Sequence, residues 1–133
     1  MDGVKVVNVS SATHVPTFLM PAAAKALSLE EEVQEMKDAF AERRVLMHQG
    51  LSSLPGFVVP EPEGAFYILC DITGTGLTDI EFAHQALEHA QVQVIPGSLM
   101  KGGDGLIRIS YATSIANIHE GVGRLRKWLE SRR

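Results

Sequence analysis

GLIRISYATS, residues 105–114, has the alternating pattern of a β-strand. Ile107, Ile109 and Tyr111 fall on one face at the two-residue period of a strand, and Arg108 falls on the other. An always-charged guanidinium in so apolar a strand is solvated, paired with an acid of the chain, or presented to an anionic ligand. The strand alone leaves all three interpretations open.

This strand is followed by a helix and preceded by two further strands. Ser114 caps the helix, whose inward positions are Ile115, Ile118, Val122, Leu125 and Leu129, with Trp128 at its end. GAFYILCDI, residues 64–72, is apolar on both faces, which is typical of a central strand covered on both sides. VQVI, residues 92–95, is a short strand that ends at Pro96-Gly97.

Capping patterns predict where two other helices begin. Ser28 with Glu31, and Thr78 with Glu81, have the spacing of a capping box, in which two backbone amides are satisfied reciprocally. The first pair opens a long helix that ends at Pro55-Gly56. The second pair opens a helix whose predicted inner side consists of Ile80, Ala83, Leu87 and Ala90.

Together these elements predict an α+β (α/β) fold, a two-layer sandwich in which helices pack on a sheet of three to four strands. Residues 28–133 hold these elements and form the predicted domain. Residues 1–27 are interpreted as a segment that leads into it, with Pro21 in the first turn of a short helix.

The composition is that of an ordinary globular domain, with 45% hydrophobic and 21% charged residues among 133. The net charge of −4 and the lack of a basic patch argue against nucleic acid as a partner. No apolar run approaches the roughly 18 residues of a membrane span, and the N-terminus lacks the order of a signal peptide. We therefore expect no membrane partner and a cytoplasmic location. Cys70 lies in an apolar run and is interpreted as a buried hydrophobe.

Spacing alone identifies no complete catalytic or metal site. His84 and His89 are five positions apart, which makes a poor metal pair on a helix, so no metal site is expected. The glycines of KGGDG, residues 101–105, open a strand rather than a helix and are interpreted as a connecting loop, not a phosphate loop. Arg108 remains the candidate, either on a solvated face or as a planar fork for a carboxylate or phosphate.

Three stretches together resemble consecutive motifs in the C-terminal part of class I aminotransferases: EPEGAFYILCDI (61–72), QVQVIPGS (91–98) and GLIRISYATS (105–114). These are fold-type-I enzymes that use pyridoxal phosphate, and the nearest pattern is the aspartate/aromatic aminotransferase branch. VSSATHVP (9–16) is similar to the family's run into its small domain, so the resemblance covers roughly residues 4 to 130.

The resemblance implies a role for Arg108. In the family, the arginine of the R-[IL]-S-Y-A strand holds the α-carboxylate of the substrate through a two-pronged salt bridge, and Arg108 occupies this place. The implied substrates are an amino acid and a 2-oxo acid, between which the full-length enzyme moves an amino group. Pro96 and Gly97 match a turn near the site and are interpreted as structural.

The resemblance also implies a missing N-terminal large domain. Family members carry there the Schiff-base lysine, the aspartate paired with the pyridine nitrogen and the phosphate-binding residues. None of the lysines of this chain lies in the family's lysine motif: Lys5, Lys25, Lys37, Lys101 and Lys127. The chain is therefore expected to be a C-terminal small domain that neither binds the cofactor covalently nor transaminates alone. The full-length enzyme is expected to be a homodimer.

Two other interpretations stay open. The chain is alternatively a stand-alone module that binds or senses a small ligand, or an assembly piece whose exposed opening segment self-associates. Ser10, Ser11 and Thr13 depart from the commoner family motif, so the resemblance assigns them no role.

Overall fold

The computed structural model describes residues 16–132, so Lys5, Ser10, Ser11 and Thr13 lie outside the described residues. The chain divides into two compact units, Met1–Met36 and Lys37–Arg133. None of the helices within the described range is long and apolar enough to cross a membrane.

The described part of the first unit is helical. A 3₁₀ turn at Thr17–Leu19 leads into α1 (Met20–Ala26), which has a proline in its first turn as predicted. The long helix α2 (Glu30–Ser52) begins two residues after the predicted start. The predicted capping box at its start is wrong, because the hydroxyl of Ser28 donates to the carbonyl oxygen of Lys25 at 2.8 Å and so belongs to the end of α1.

The second unit contains the predicted sheet, with three antiparallel strands in the order β1-β3-β2. The strands are β1 (Tyr67–Asp71), β2 (Ile95–Pro96) and β3 (Leu106–Ser110). The remaining helices are α3 (Asp79–Ala90) and α4 (Ile115–Ser131). Helices on one face of a small sheet confirm the predicted two-layer α+β architecture.

The prediction that GAFYILCDI forms a central strand covered on both sides is wrong. The central strand is β3, and within the described chain β1 has only a single bridge, Val58 with Asp71, on its other side. The side chains of Ile68 and Cys70 are buried, whereas that of Leu69 is 37% exposed. An apolar run alone does not report which of two paired strands lies at the edge.

The core lies on one face of the sheet. Cys70 is fully buried there, and burial raises the pKa of its thiol to about 12, which confirms it as a structural hydrophobe. The other buried side chains of the core include Met47, Leu51, Ile107, Ile109, Tyr111, Ile118, Val122, Leu125, Trp128 and Leu129. The predicted inward positions of α4 at 118, 122, 125 and 129 are among them.

Helix α3 begins at the predicted capping box but turns a different side inward. The hydroxyl of Thr78 accepts from the amide of Glu81, and the carboxylate of Glu81 accepts from the amide of Thr78. Phe82 is fully buried, whereas Ile80 and Leu87 are 52% and 55% exposed. The predicted inner side is therefore wrong at these two positions. The physical reason is that the ring of Phe82 packs edge-on against two other aromatic rings, those of Phe57 and Trp128.

A hydrogen bond to Asp79 joins the loop after β2 to α3. The buried carboxylate accepts a hydrogen bond from the amide of Ser98 at 2.7 Å, and the hydrogen bonds from Ser98 lower the pKa of Asp79. Because the folded-state pKa lies below the unfolded value, the carboxylate stabilises the fold above about pH 4 and loses this effect as the pH falls through its folded-state pKa.

We therefore expect Asp79→Asn to reduce the free energy of unfolding by about 1–2 kcal/mol at pH 7, and by clearly less at pH 3. Urea unfolding at both pH values measures the difference. Asp104→Asn is the matched control, because Asp104 is an exposed carboxylate of the same loop region. Equal losses for Asp79→Asn at pH 7 and pH 3 would contradict the assigned role.

Candidate functional site

Arg108 lies in the middle of the central strand, on the sheet face opposite the core. Its neighbours in the strand, Ile107 and Ile109, are buried, whereas Arg108 is only partly buried. Leu69 of β1 and Ile95 of β2 are its directly paired partners. Directly paired residues project to the same face, so the guanidinium rises between two apolar neighbours on an otherwise apolar row.

The guanidinium lies over an aromatic ring. The Cζ atom of Arg108 is 5.1 Å from the ring centroid of Tyr67, a cation–π geometry. The ring of Phe66 meets the ring of Tyr67 edge-on, with centroids 5.6 Å apart. The contact therefore holds the cation from the side of the ring. The N–H donors of a guanidinium lie in the plane of its fork.

No acid within residues 16–132 pairs with Arg108. Asp71 shares its sheet face, but one carboxylate oxygen of Asp71 accepts from the amide of Thr73 at 2.8 Å and from its hydroxyl at 2.6 Å. These hydrogen bonds lower the pKa of Asp71, so this carboxylate is charged at neutral pH. Of the three initial interpretations for Arg108, pairing with a described acid of the chain is therefore excluded.

The segment that carries Phe66 and Tyr67 is fixed from the core side. The buried Tyr111 donates its hydroxyl to the carbonyl oxygen of Ala65 at 2.8 Å, and its amide donates to the carbonyl oxygen of Phe66 at 2.9 Å. Ala65 has a positive φ of 63°, which is uncommon for a residue with a side chain. Sequence reasoning missed these contacts, because each joins residues more than 40 positions apart.

The four described lysines lie on helices and in a loop, and not on the strands of the sheet. All four are exposed, and they lie on α1, α2, the loop before β3, and α4: Lys25, Lys37, Lys101 and Lys127. None belongs to a strand of the sheet that carries Arg108. A pyridoxal phosphate site needs a lysine and phosphate donors close to the reacting group, and no described strand supplies that lysine. Residues 16–132 also hold no group of three or more His, Cys, Asp or Glu side chains placed to bind a metal ion.

Two other features are structural. Gly97 directly follows β2, and its backbone packs against that of Gly103, so the Pro96-Gly97 turn anchors the loop that leads to β3. A groove of about 600 Å³ runs between α3 and α4, away from the sheet face of Arg108, and mixes charges of both signs. Arg124 in this groove is paired with Glu120 at 2.6 Å.

Comparison with known proteins identifies the family to which the chain belongs. The aminotransferase class I and II family matches residues 5–125. An aspartate aminotransferase of Pyrococcus horikoshii is 42% identical over 121 residues, which cover 88% of this chain and 31% of that protein. The aromatic aminotransferase structure from the same organism superposes with a TM-score of 0.88 at 39% identity, covering 95% of this chain and 34% of that one.

A further solved structure is that of an enzyme with maleate. The aspartate aminotransferase of Thermus thermophilus with maleate superposes with a TM-score of 0.81 at 31% identity, covering 92% of this chain and 32% of that one. This chain spans about a third of the length of the relatives that it matches. By sequence and by fold, it belongs to the class I and II aminotransferase family.

Proposed function

We propose that residues 28–133 are the C-terminal small domain of a pyridoxal phosphate-dependent aminotransferase, with residues 1–27 leading in from a large domain. In this proposal the complete enzyme moves an amino group between an amino acid and a 2-oxo acid, and Arg108 binds the α-carboxylate of the substrate. The observation that carries the proposal is the guanidinium of Arg108 on the sheet face opposite the core, without an acidic partner among residues 16–132.

The chemistry of the guanidinium supports this role. It stays charged at every physiological pH and presents parallel N–H donors that match the two oxygens of a carboxylate. It rises from the central strand, where pairing on both sides limits backbone motion. A carboxylate held in two places cannot rotate freely, so this chain orients the substrate, and orientation lowers the barrier of the reaction that follows.

The cofactor is proposed to come from the rest of the enzyme. Pyridoxal phosphate supplies the electron sink for amino-group transfer when it is bound. No described lysine lies on a strand of the sheet that carries Arg108, so we expect the chain alone to be inactive. The missing length relative to the curated relatives is consistent with a large domain outside this chain. We further propose that the complete enzyme is a homodimer.

A carboxylate titration tests the role of Arg108 in the chain itself. Maleate is a suitable probe, because it is a dicarboxylate and accompanies the Thermus thermophilus relative. Charge-assisted hydrogen bonds contribute about 1.5–3 kcal/mol, which corresponds to a dissociation constant of about 10–100 mM. We expect maleate in this range to shift the Nε–Hε NMR signal of Arg108 in the full 133-residue chain.

The controls separate a specific site from general ionic effects. Arg108→Gln is expected to abolish the saturable response, whereas Arg124→Gln, at an exposed arginine of α4, is expected to leave it unchanged. Sodium chloride at the same ionic strength should not reproduce the shift. A response to maleate that persists in Arg108→Gln would contradict the proposed function.

A further inference from the structure

The residues around Arg108 point to a second participant in the site, and this inference rests on the proposed function. We propose that Tyr67 is a positioning residue, whose ring holds the guanidinium of Arg108 in the unpaired state that a substrate carboxylate requires. The basis is the register of β1 and β3 together with the partners that Tyr67 and Asp71 have in the structure.

The register places two competing partners beside Arg108. Leu69 lies directly opposite, and Tyr67 and Asp71 are two residues to either side of Leu69, so all three project to the same face. Diagonal neighbours of this kind have Cα or Cβ atoms about 7–8 Å apart, within reach of a long side chain. Arg108 therefore has a ring on one diagonal and a carboxylate on the other.

In the structure, the guanidinium of Arg108 contacts the ring of Tyr67 and not the carboxylate of Asp71. Its Cζ atom lies 5.1 Å from the centroid of Tyr67, and Phe66 braces that ring from its edge. Asp71 uses its Oδ1 atom for both bonds to Thr73, and its Oδ2 atom has no partner among the described residues. Asp71 can thus accept an arginine, and the ring of Tyr67 is the contact that draws the guanidinium away from it.

The two partners have opposite consequences for a ligand. A ring face attracts the cation without using its N–H groups, which stay available at the edge of the fork. A carboxylate of the chain would occupy the same N–H groups that a substrate carboxylate needs. Tyr67 therefore keeps Arg108 oriented and unpaired, whereas loss of the ring releases Arg108 to form a salt bridge with Asp71.

The maleate titration of the full chain tests this inference with a graded set of variants. We expect Tyr67→Phe, which keeps the ring, to bind maleate within about twofold of the parent chain. Tyr67→Leu is expected to raise the dissociation constant by about fivefold and to move the Nε–Hε signal of Arg108 before any maleate is added. We expect the same two effects for Tyr67→Val. Valine is favoured in strands, so this variant serves if the leucine variant does not fold.

Rescue distinguishes positioning from a merely structural role. Adding Asp71→Asn to Tyr67→Leu removes the competing carboxylate, and we expect maleate affinity to return to within about twofold of the parent chain. Asp71→Asn alone is the matched control and is expected to bind maleate as the parent does. Lost binding that Asp71→Asn does not restore, or equal binding by the leucine, valine and phenylalanine variants, overturns the inference.

The same titrations distinguish a failure of this inference from a failure of the proposed function. If Arg108→Gln binds maleate as tightly as the parent chain, the proposed function fails and the role of Tyr67 fails with it. If Arg108→Gln abolishes binding while Tyr67→Leu leaves both the affinity and the Arg108 signal unchanged, the proposed function stands and only the inference about Tyr67 is overturned.

Discussion

Replacing Gly97 by alanine is expected to reduce the free energy of unfolding by about 3 kcal/mol or more. A Cβ atom at this position would lie 2.6 Å from the carbonyl oxygen of Leu106, and closer still to the carbonyl oxygen of Gly103. Both neighbours are backbone atoms and cannot rotate away, so the loop between β2 and β3 has to open. Urea unfolding followed by circular dichroism measures the loss.

A second glycine of the chain offers a control of opposite sign. Gly121 lies inside α4, and a Cβ atom there would meet no atom within 4 Å. Glycine is a poor helix former, so Gly121→Ala is expected to increase the free energy of unfolding by about 0.5–1 kcal/mol. A Gly97→Ala chain as stable as the parent would show that the loop does not pack as described.

The contact at Gly97 also matters for the candidate site. Gly97 follows β2 directly, and Ile95 of β2 pairs with Arg108. The amide of Ser98 is held by Asp79, so α3 and the loop together fix one edge of the strand that carries the arginine. We therefore expect a loosened loop to disturb the position of Arg108 as well as the stability of the chain.

Local chemistry made much of the fold predictable. The capping side chains of Thr78 and Ser114 each accept the expected amide, because a cap involves residues only three positions apart. The inner side of α3 was not predictable in the same way. Ile80 and Phe82 are both apolar, and only the packing of Phe82 against Phe57 and Trp128 determines which of them is buried.

In the candidate site, too, local features were predictable from the sequence and long-range contacts were not. Arg108 was identified from its own strand, because a charge at a regular position of an apolar pattern is visible locally. Tyr67 was not identified, because its contact with Arg108 depends on the register of two strands that lie 41 positions apart, counting from Tyr67 to Arg108. The resemblance to aminotransferases supplied a role for Arg108, but no part of the sequence predicted what lies beneath its guanidinium.

An enzyme assembled around this chain tests the proposed catalytic role directly. Residues 5–125, which match the family, can replace the corresponding part of the Pyrococcus horikoshii aspartate aminotransferase. That enzyme is 42% identical to this chain over 121 residues. In this hybrid, Arg108→Gln is expected to lower kcat/KM by about 30-fold to 4000-fold. The basis is that loss of one partner of a buried charge pair costs about 2–5 kcal/mol, and each 1.4 kcal/mol is a factor of ten.

The pattern of the kinetic change identifies the role. Orientation acts in the ground state and the transition state, so we expect KM to rise and kcat to fall together. Arg108→Lys keeps the charge but loses the fork and should recover only part of the activity. Arg124→Gln is the matched control, because that arginine is exposed on α4 and paired with Glu120.

Light scattering of the active hybrid tests the proposed homodimer.

Stability measurements separate this effect from misfolding. Arg108 forms no ion pair within residues 16–132, and its contact with Tyr67 contributes about 0.5–1 kcal/mol, so the glutamine variant should unfold at nearly the same urea concentration as the parent. A large kinetic loss with an almost unchanged unfolding midpoint is the expected combination. Unchanged kinetics in a folded hybrid would remove Arg108 from the substrate site, because a guanidinium that binds the α-carboxylate cannot be lost without effect.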